Sequence, residues 1–169
     1  MKLTELFLGE LERETPITRR VLERVPVGRN DWKPHEKSMP FGDLAALVAN
    51  MPSWITMTVE REELDIAPVS GPSTAPPPLE TPQQLTAALD ENVAGARAAL
   101  AKTNDEHLMK PWRLLAGGKV VQETPRHIML RDGVLNHWAH HRGQLSVYLR
   151  LNDAPVPSIY GPTADDRRF

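Results

Sequence analysis

Apolar residues recur every three or four positions along most of this chain, and no other feature of the sequence constrains the fold as tightly, because that spacing builds helices and not sheets. Four segments carry it. The first runs from about Leu3 to Val25, with Leu3, Phe7 and Leu11, then Ile17, Val21 and Leu22, on the stripe. Pro16 interrupts it. Because Thr15 can cap and Pro16 can open a turn, the segment is either one kinked helix or two short ones. The second begins near Pro40 with Ser38 as its cap, kinks at Pro52 and continues through Trp54 toward Glu60. At roughly 100° per residue, Leu44, Leu47, Met51, Trp54 and Thr58 fall within about 80° of one another, giving one buried stripe with Leu47 in its middle. Thr81, Pro82 and Gln84 supply a cap, a first-turn proline and a capping-box partner for a third helix, about Pro82 to Lys102. Thr124–Pro125 repeats the cap-plus-proline signature and opens the fourth, about Pro125 to Leu151.

Between the second and third helices, APVSGPSTAPPPLETP holds a large share of the 16 prolines and no apolar period, so it is expected to be a long crossover. The stretch WRLLAGGKVVQE forms either a small hairpin around Gly117–Gly118 or an irregular loop. These readings predict an all-α fold, a four-helix bundle with one proline-rich crossover, as a single domain over residues 1–169.

Charge and composition remove several function classes. Lys+Arg 20 against Asp+Glu 22 leaves no basic excess to neutralise phosphates, and pairs such as Arg19–Arg20 and Arg167–Arg168 suit solvated faces, so no nucleic-acid partner is expected. The absence of cysteine excludes disulfides and thiolate chemistry, fits a reducing compartment and leaves nitrogen and oxygen as the donors for any metal. The start, MKLTELFLGELERE, mixes acids among its leucines unlike a signal peptide, and no apolar run approaches the roughly 20 residues of a bilayer span. A cytoplasmic protein without membrane partners is expected.

The segment NHWAHHRGQLSVYL poses the functional question. At constant helical pitch Leu130, Val134, His137, His141, Leu145 and Tyr148 share about 80° of arc and form the inward stripe, while His140 lies roughly 100° away at the shoulder. His137 and His141, at i and i+4, bring ring nitrogens from adjacent turns to one point, a spacing suited to chelating one ion. Two core histidines hydrogen-bonded to backbone or to Tyr148 satisfy the same pattern. A metal would draw further ligands from facing helices, and His35, His107 and His127 are poorly placed to give them, His35 the least so.

The run NHWAHHRGQLSVYLRL with the tail VPSIYGPTADD resembles the final helix and C-terminal loop of the DinB-like superfamily, which includes the YfiT-type metal-dependent enzymes. DWKPHEKSMPFGDLAALVANMPSW resembles the second-helix region of a bacterial branch, so the likeness spans nearly the whole chain. It implies a four-helix bundle and a divalent metal, often nickel, zinc or iron, held by one histidine of the second helix and two of the last. His137 and His141 match the latter pair, whereas the second-helix position is filled by Leu47: members often read LATHVAE where this chain reads LAALVAN. Leucine has no donor atom, so the metal is expected to be weak or absent unless Asp43 or Asn50, oxygen donors near that face, replaces the lost ligand. Their ordinary roles are a first-turn charge for Asp43 and a polar edge residue for Asn50. Leu47, Trp54 and Trp138 are the expected pocket walls. Arg142 and Gln144 match the HRGQ motif, Arg142 with a packing or ion-pair role, and Asp165 and Asp166 of the tail are expected to face solvent.

Three readings follow. The first is a divalent-metal-dependent hydrolase or thiol transferase with an altered site, acting in some branches with low-molecular-weight thiols such as bacillithiol or mycothiol. The second is a metal-free descendant binding a small molecule in the former pocket. The third is a structural or interaction protein whose histidines are satisfied in the core or at a homodimer interface.

Overall fold

The computed structural model describes residues 1–67 and 79–168. The expected proline-rich crossover therefore falls mostly outside the described residues. The chain is mainly helical, with helices α1 (Leu3–Leu22), α2 (Phe41–Asn50), α3 (Ser53–Glu60), α4 (Pro82–Lys102) and the short α5 (Asp105–Met109), α6 (Arg126–Ile128) and α7 (His137–Leu151). A π-helical segment, Met129–Asn136, joins α6 to α7. Helix α4 packs against α1, α2 and α3, and α7 against α1 and α2. Leu11, Leu22, Leu44, Leu89, Trp138 and Leu145 lie in the common core.

Local chemistry explains most boundaries. The Thr81 side chain accepts from the Gln84 amide, and Gln84 returns the bond, which fixes the start of α4 where the sequence places it. Pro16 sits inside one continuous α1, so the two-helix alternative does not apply; Thr15 donates back to the Leu11 carbonyl (2.6 Å) in place of capping a new start. Ser38 is likewise no cap: α2 begins after Pro40 without a side-chain cap.

The break between α2 and α3 orphans a run of carbonyls, and each finds a partner. Pro52 has no N–H to offer the carbonyl four residues back, which is Val48's, and the Trp138 indole donates to that oxygen instead at 2.8 Å. Asn92 on α4 donates to the Ala49 carbonyl (3.3 Å), and the Ser53 hydroxyl to that of Asn50 (2.7 Å). The proline kink thereby ties α2 to both α7 and α4.

The all-α expectation needs one correction, a three-stranded sheet of β1 (Glu63–Asp65), β2 (Pro111–Ala116) and β3 (Lys119–Pro125), in the order β1-β2-β3. WRLLAGGKVVQE is the hairpin, turning at Gly117 and Gly118 with φ of 60° and 76°, a left-handed pair that favours glycine. β1 pairs parallel to β2, with Leu64 opposite Leu114. The Asp65 carboxylate accepts from the Gly117 (3.1 Å) and Gly118 (2.7 Å) amides and so fastens β1 to the hairpin turn. Arg126, fully buried, joins the sheet to the last helix: its guanidinium donates to the Pro111 carbonyl (2.7 Å) and the Arg61 carbonyl (3.2 Å) and pairs with Glu62 (2.8 Å).

The inward stripe of the last helix differs from expectation at the two histidines. Leu130, Val134, Leu145 and Tyr148 are buried as expected, but Trp138 and Arg142 are buried where His137 and His141 were expected, and those two histidines are half-buried. The π-helical segment carries more residues per turn than an α-helix, so a stripe counted at constant pitch drifts by about one position across it. Trp138 is therefore fully buried core, not a pocket wall.

Arg142 occupies the next inward turn. Its guanidinium pairs with Glu14 (2.5 Å), donates to the Thr18 hydroxyl (2.9 Å) and to Tyr160, and lies over the Trp138 and Tyr160 rings. This buried pair holds the C-terminal tail against α1 and α7. Asp165 and Asp166 are not idle surface charges. Asp165 pairs with Arg150 (2.6 Å) and accepts from the Val156 amide (2.8 Å), and Asp166 accepts from the Ser158 amide (3.0 Å).

Candidate functional site

His137 and His141 converge as their spacing predicts, with Nε2 atoms 2.8 Å apart. The other nitrogen of His141, Nδ1, lies 2.8 Å from Gln144 Oε1 one turn further along α7. An amide oxygen accepts only, so Nδ1 carries the proton and the neutral ring presents a lone pair at Nε2. A second lone pair at 2.8 Å would repel it. Something positive must lie between the rings, either a proton donated by His137 Nε2 or a cation. Burial pushes the His141 imidazole below its ordinary value; the Gln144 hydrogen bond opposes this, and the neighbouring His137 and His140 rings add to the lowering. His140 is exposed, its ring 5.1 Å from that of His141.

The other proposed ligands are not brought to the pair. Asn50 donates to the Ala46 carbonyl (2.9 Å) and accepts from Asn92 (2.9 Å), which fixes it toward α4 as part of the helix-break network. Asp43 is exposed and borders a different depression, with Asn30, Asp31, Leu79 and Glu80. Among the described residues no third His, Asp or Glu joins His137 and His141 in a metal-binding cluster. Leu47 is partly buried against the core and does not line the cavity described below. The donor set thus fits a two-nitrogen cation site and does not fit a three-histidine centre. His35 lies in an exposed loop, His107 Nε2 contacts the Val59 carbonyl (2.8 Å) and His127 Nδ1 the Leu108 carbonyl (3.2 Å), so these three serve local structure.

Beside His137 lies a cavity of about 390 Å³ that sequence reasoning missed. Three elements wall it. Trp54, Met57 and Thr58 come from α3; Leu64, Ile66, Trp112, Leu114 and Gln122 from one face of the sheet; Met129, Gly133 and Val134 from the π-helical segment. The Trp54 ring centroid lies 5.7 Å from that of His137. Among the described residues of the lining, His137 is the single ionisable one. Gly133 has a steric reason: a Cβ there would overlap the Met129 sulfur, so glycine lets that thioether fold across the π-helical turn. The alternation of Trp112 with Leu114, and of Leu64 with Ile66, was the legible signal, since side chains two apart in a strand share a face.

No protein-family model matches the chain, and no curated protein matches it significantly in sequence. Solved structures do match in shape. A DinB-like protein of Bacillus cereus superposes with a TM-score of 0.69 at 20% identity, covering 92% of this chain and 97% of its own. The DinB-like protein YjoA of Bacillus subtilis superposes with a TM-score of 0.64 at 15% identity, covering 96% and 99% respectively. At such identities the likeness is one of fold, and it extends over nearly the full length of both chains: this protein has the DinB-like fold.

Proposed function

We propose that this DinB-like chain binds a small, mainly apolar molecule in the cavity between α3, the sheet and the π-helical segment, with His137 as its polar end. The four-helix-bundle description belongs to the same reading: α2 with α3 count as one proline-broken helix, and α6, the π-helical segment and α7 as another. The observation that carries the proposal is the lining itself, mainly apolar and aromatic on three sides with Thr58, Gln122 and one imidazole as its polar side chains among the described residues, at a volume in the lower part of the ligand-pocket range of about 300–1,000 Å³. Naphthalene is a suitable probe, read through the four indole N–H resonances. The Trp54 and Trp112 signals should move on saturation while those of Trp32 and Trp138 stay. Absence of any shift, or equal shifts in all four, would remove the cavity as the binding site.

The converging Nε2 atoms favour a second reading, a divalent cation site built on His137 and His141. Both side chains would be nitrogen donors, with Gln144 orienting the His141 ring through Nδ1. Leu47 gives no donor, so the remaining positions would fall to solvent and substrate. A nickel, zinc or iron ion bound there would supply Lewis acidity, the chemistry of a hydrolase or thiol transferase. Trp54 and the cavity beyond it would then hold the apolar part of the substrate against the imidazoles.

A further inference from the structure

Gly133 gives the π-helical wall of the cavity a position without a side chain, and the Met129 thioether lies in the place a Cβ would take. Both residues line the cavity, and Met129 is buried. A side chain at 133 therefore has to move that sulfur. The backbone need not yield, because methionine has three rotatable side-chain bonds and the overlapping atom lies near its end. Interiors are packed almost without voids, so a displaced thioether goes where free volume already exists. Beside Met129 that volume is the cavity. Glycine is also a poor helix former, and alanine would suit the segment better if helical geometry alone mattered.

Resting on the reading of the cavity as a small-molecule site, we infer that Gly133 sets the size of molecule the cavity admits. Glycine lets Met129 fold against the helix and leaves the volume of about 390 Å³ open, whereas any larger residue drives the thioether into it. The selection is by size and not by polar contact: Thr58, Gln122 and His137 keep their places in the lining whichever residue stands at 133. Gly133 is on this account a specificity-determining residue, and it acts through Met129.

The test follows the binding of benzene and naphthalene through the Trp54 indole resonance and the Met129 ε-methyl resonance. Both probes should bind the wild-type protein, and naphthalene should move the Met129 methyl signal. Gly133→Ala should weaken naphthalene binding about tenfold more than benzene binding, the scale of overpacking a filled interior. Met129→Ala in the Gly133→Ala background removes the displaced thioether and should restore naphthalene. If naphthalene binds the wild type at Trp54 and Gly133→Ala holds it as well as before, or the double variant fails to recover it, the size inference is wrong while the cavity remains a ligand site. If neither probe binds the wild type, the cavity reading fails and takes this inference with it. A Met129 methyl signal unmoved by bound naphthalene overturns the inference from the wild-type chain alone, so it stays refutable even where Gly133→Ala does not fold.

Discussion

His141 Nε2 faces His137 Nε2 across 2.8 Å while Gln144 holds the far nitrogen of the His141 ring. In metal-free protein this arrangement fixes both tautomers, Nδ1–H for His141 and Nε2–H for His137. Nitrogen-15 spectra of the neutral rings should show that assignment. Gln144→Met removes the acceptor and should release His141 to a mixture of tautomers. An unaltered His141 tautomer in that variant would show that Gln144 does not orient the ring.

Leu47 stands where the resemblance places a third histidine. Leu47→His should raise the affinity for Ni²⁺ or Zn²⁺ by at least about tenfold, or roughly 1.4 kcal/mol, measured by calorimetry. His141→Ala in that background should abolish the gain. A Leu47→His protein with unchanged affinity would mean that residue 47 does not face the histidine pair.

Trp138 and Pro52 are coupled through the Val48 carbonyl. Trp138→Phe leaves that buried oxygen without its donor and should cost about 1–3 kcal/mol in chemical unfolding, beyond the change in packing. Pro52→Ala supplies a backbone N–H at the position from which a continuous helix would bond Val48, so the double variant should lose less than the sum of the single ones. Strict additivity would contradict the coupling.

Acid should loosen the tail before the bundle. The hydrogen bond from Arg150, followed by that from the Val156 amide, holds the Asp165 carboxyl below its ordinary 3.8, and Arg168 with the Ser158 amide lowers Asp166 further. A depressed carboxyl stabilises the fold fully above its unfolded value and loses that contribution as pH falls through the folded one. The Val156 and Ser158 amide shifts should therefore titrate below about pH 4, and Asp165→Asn should remove the Val156 transition. A Val156 shift that stays constant down to pH 2 would rule out this role for Asp165.

Sequence periodicity located α4 to the residue because Thr81, Pro82 and Gln84 each act locally, through bonds within a single turn. It located the histidine pair for the same reason, since i, i+4 proximity needs only one turn of helix. It placed Leu130, Val134, Leu145 and Tyr148 inward correctly but put His137 and His141 where Trp138 and Arg142 are buried, because the Met129–Asn136 segment changes pitch and nothing in MLRDGVLN announces that by residue type. The sheet was harder still. β1 has three residues, and its pairing with β2 joins positions about fifty apart, for which a linear reading has no signal beyond Leu64 and Ile66 alternating. Since that sheet is one wall of the cavity, the proposed ligand site was the feature least visible in the chain.

The most direct measurement is a crystal of the protein soaked with 1-bromonaphthalene and measured at the bromine absorption edge. The account predicts one strong anomalous peak enclosed by Trp54, Trp112 and His137. Bromine sites confined to the surface or to lattice contacts, with none in that cavity, would contradict it.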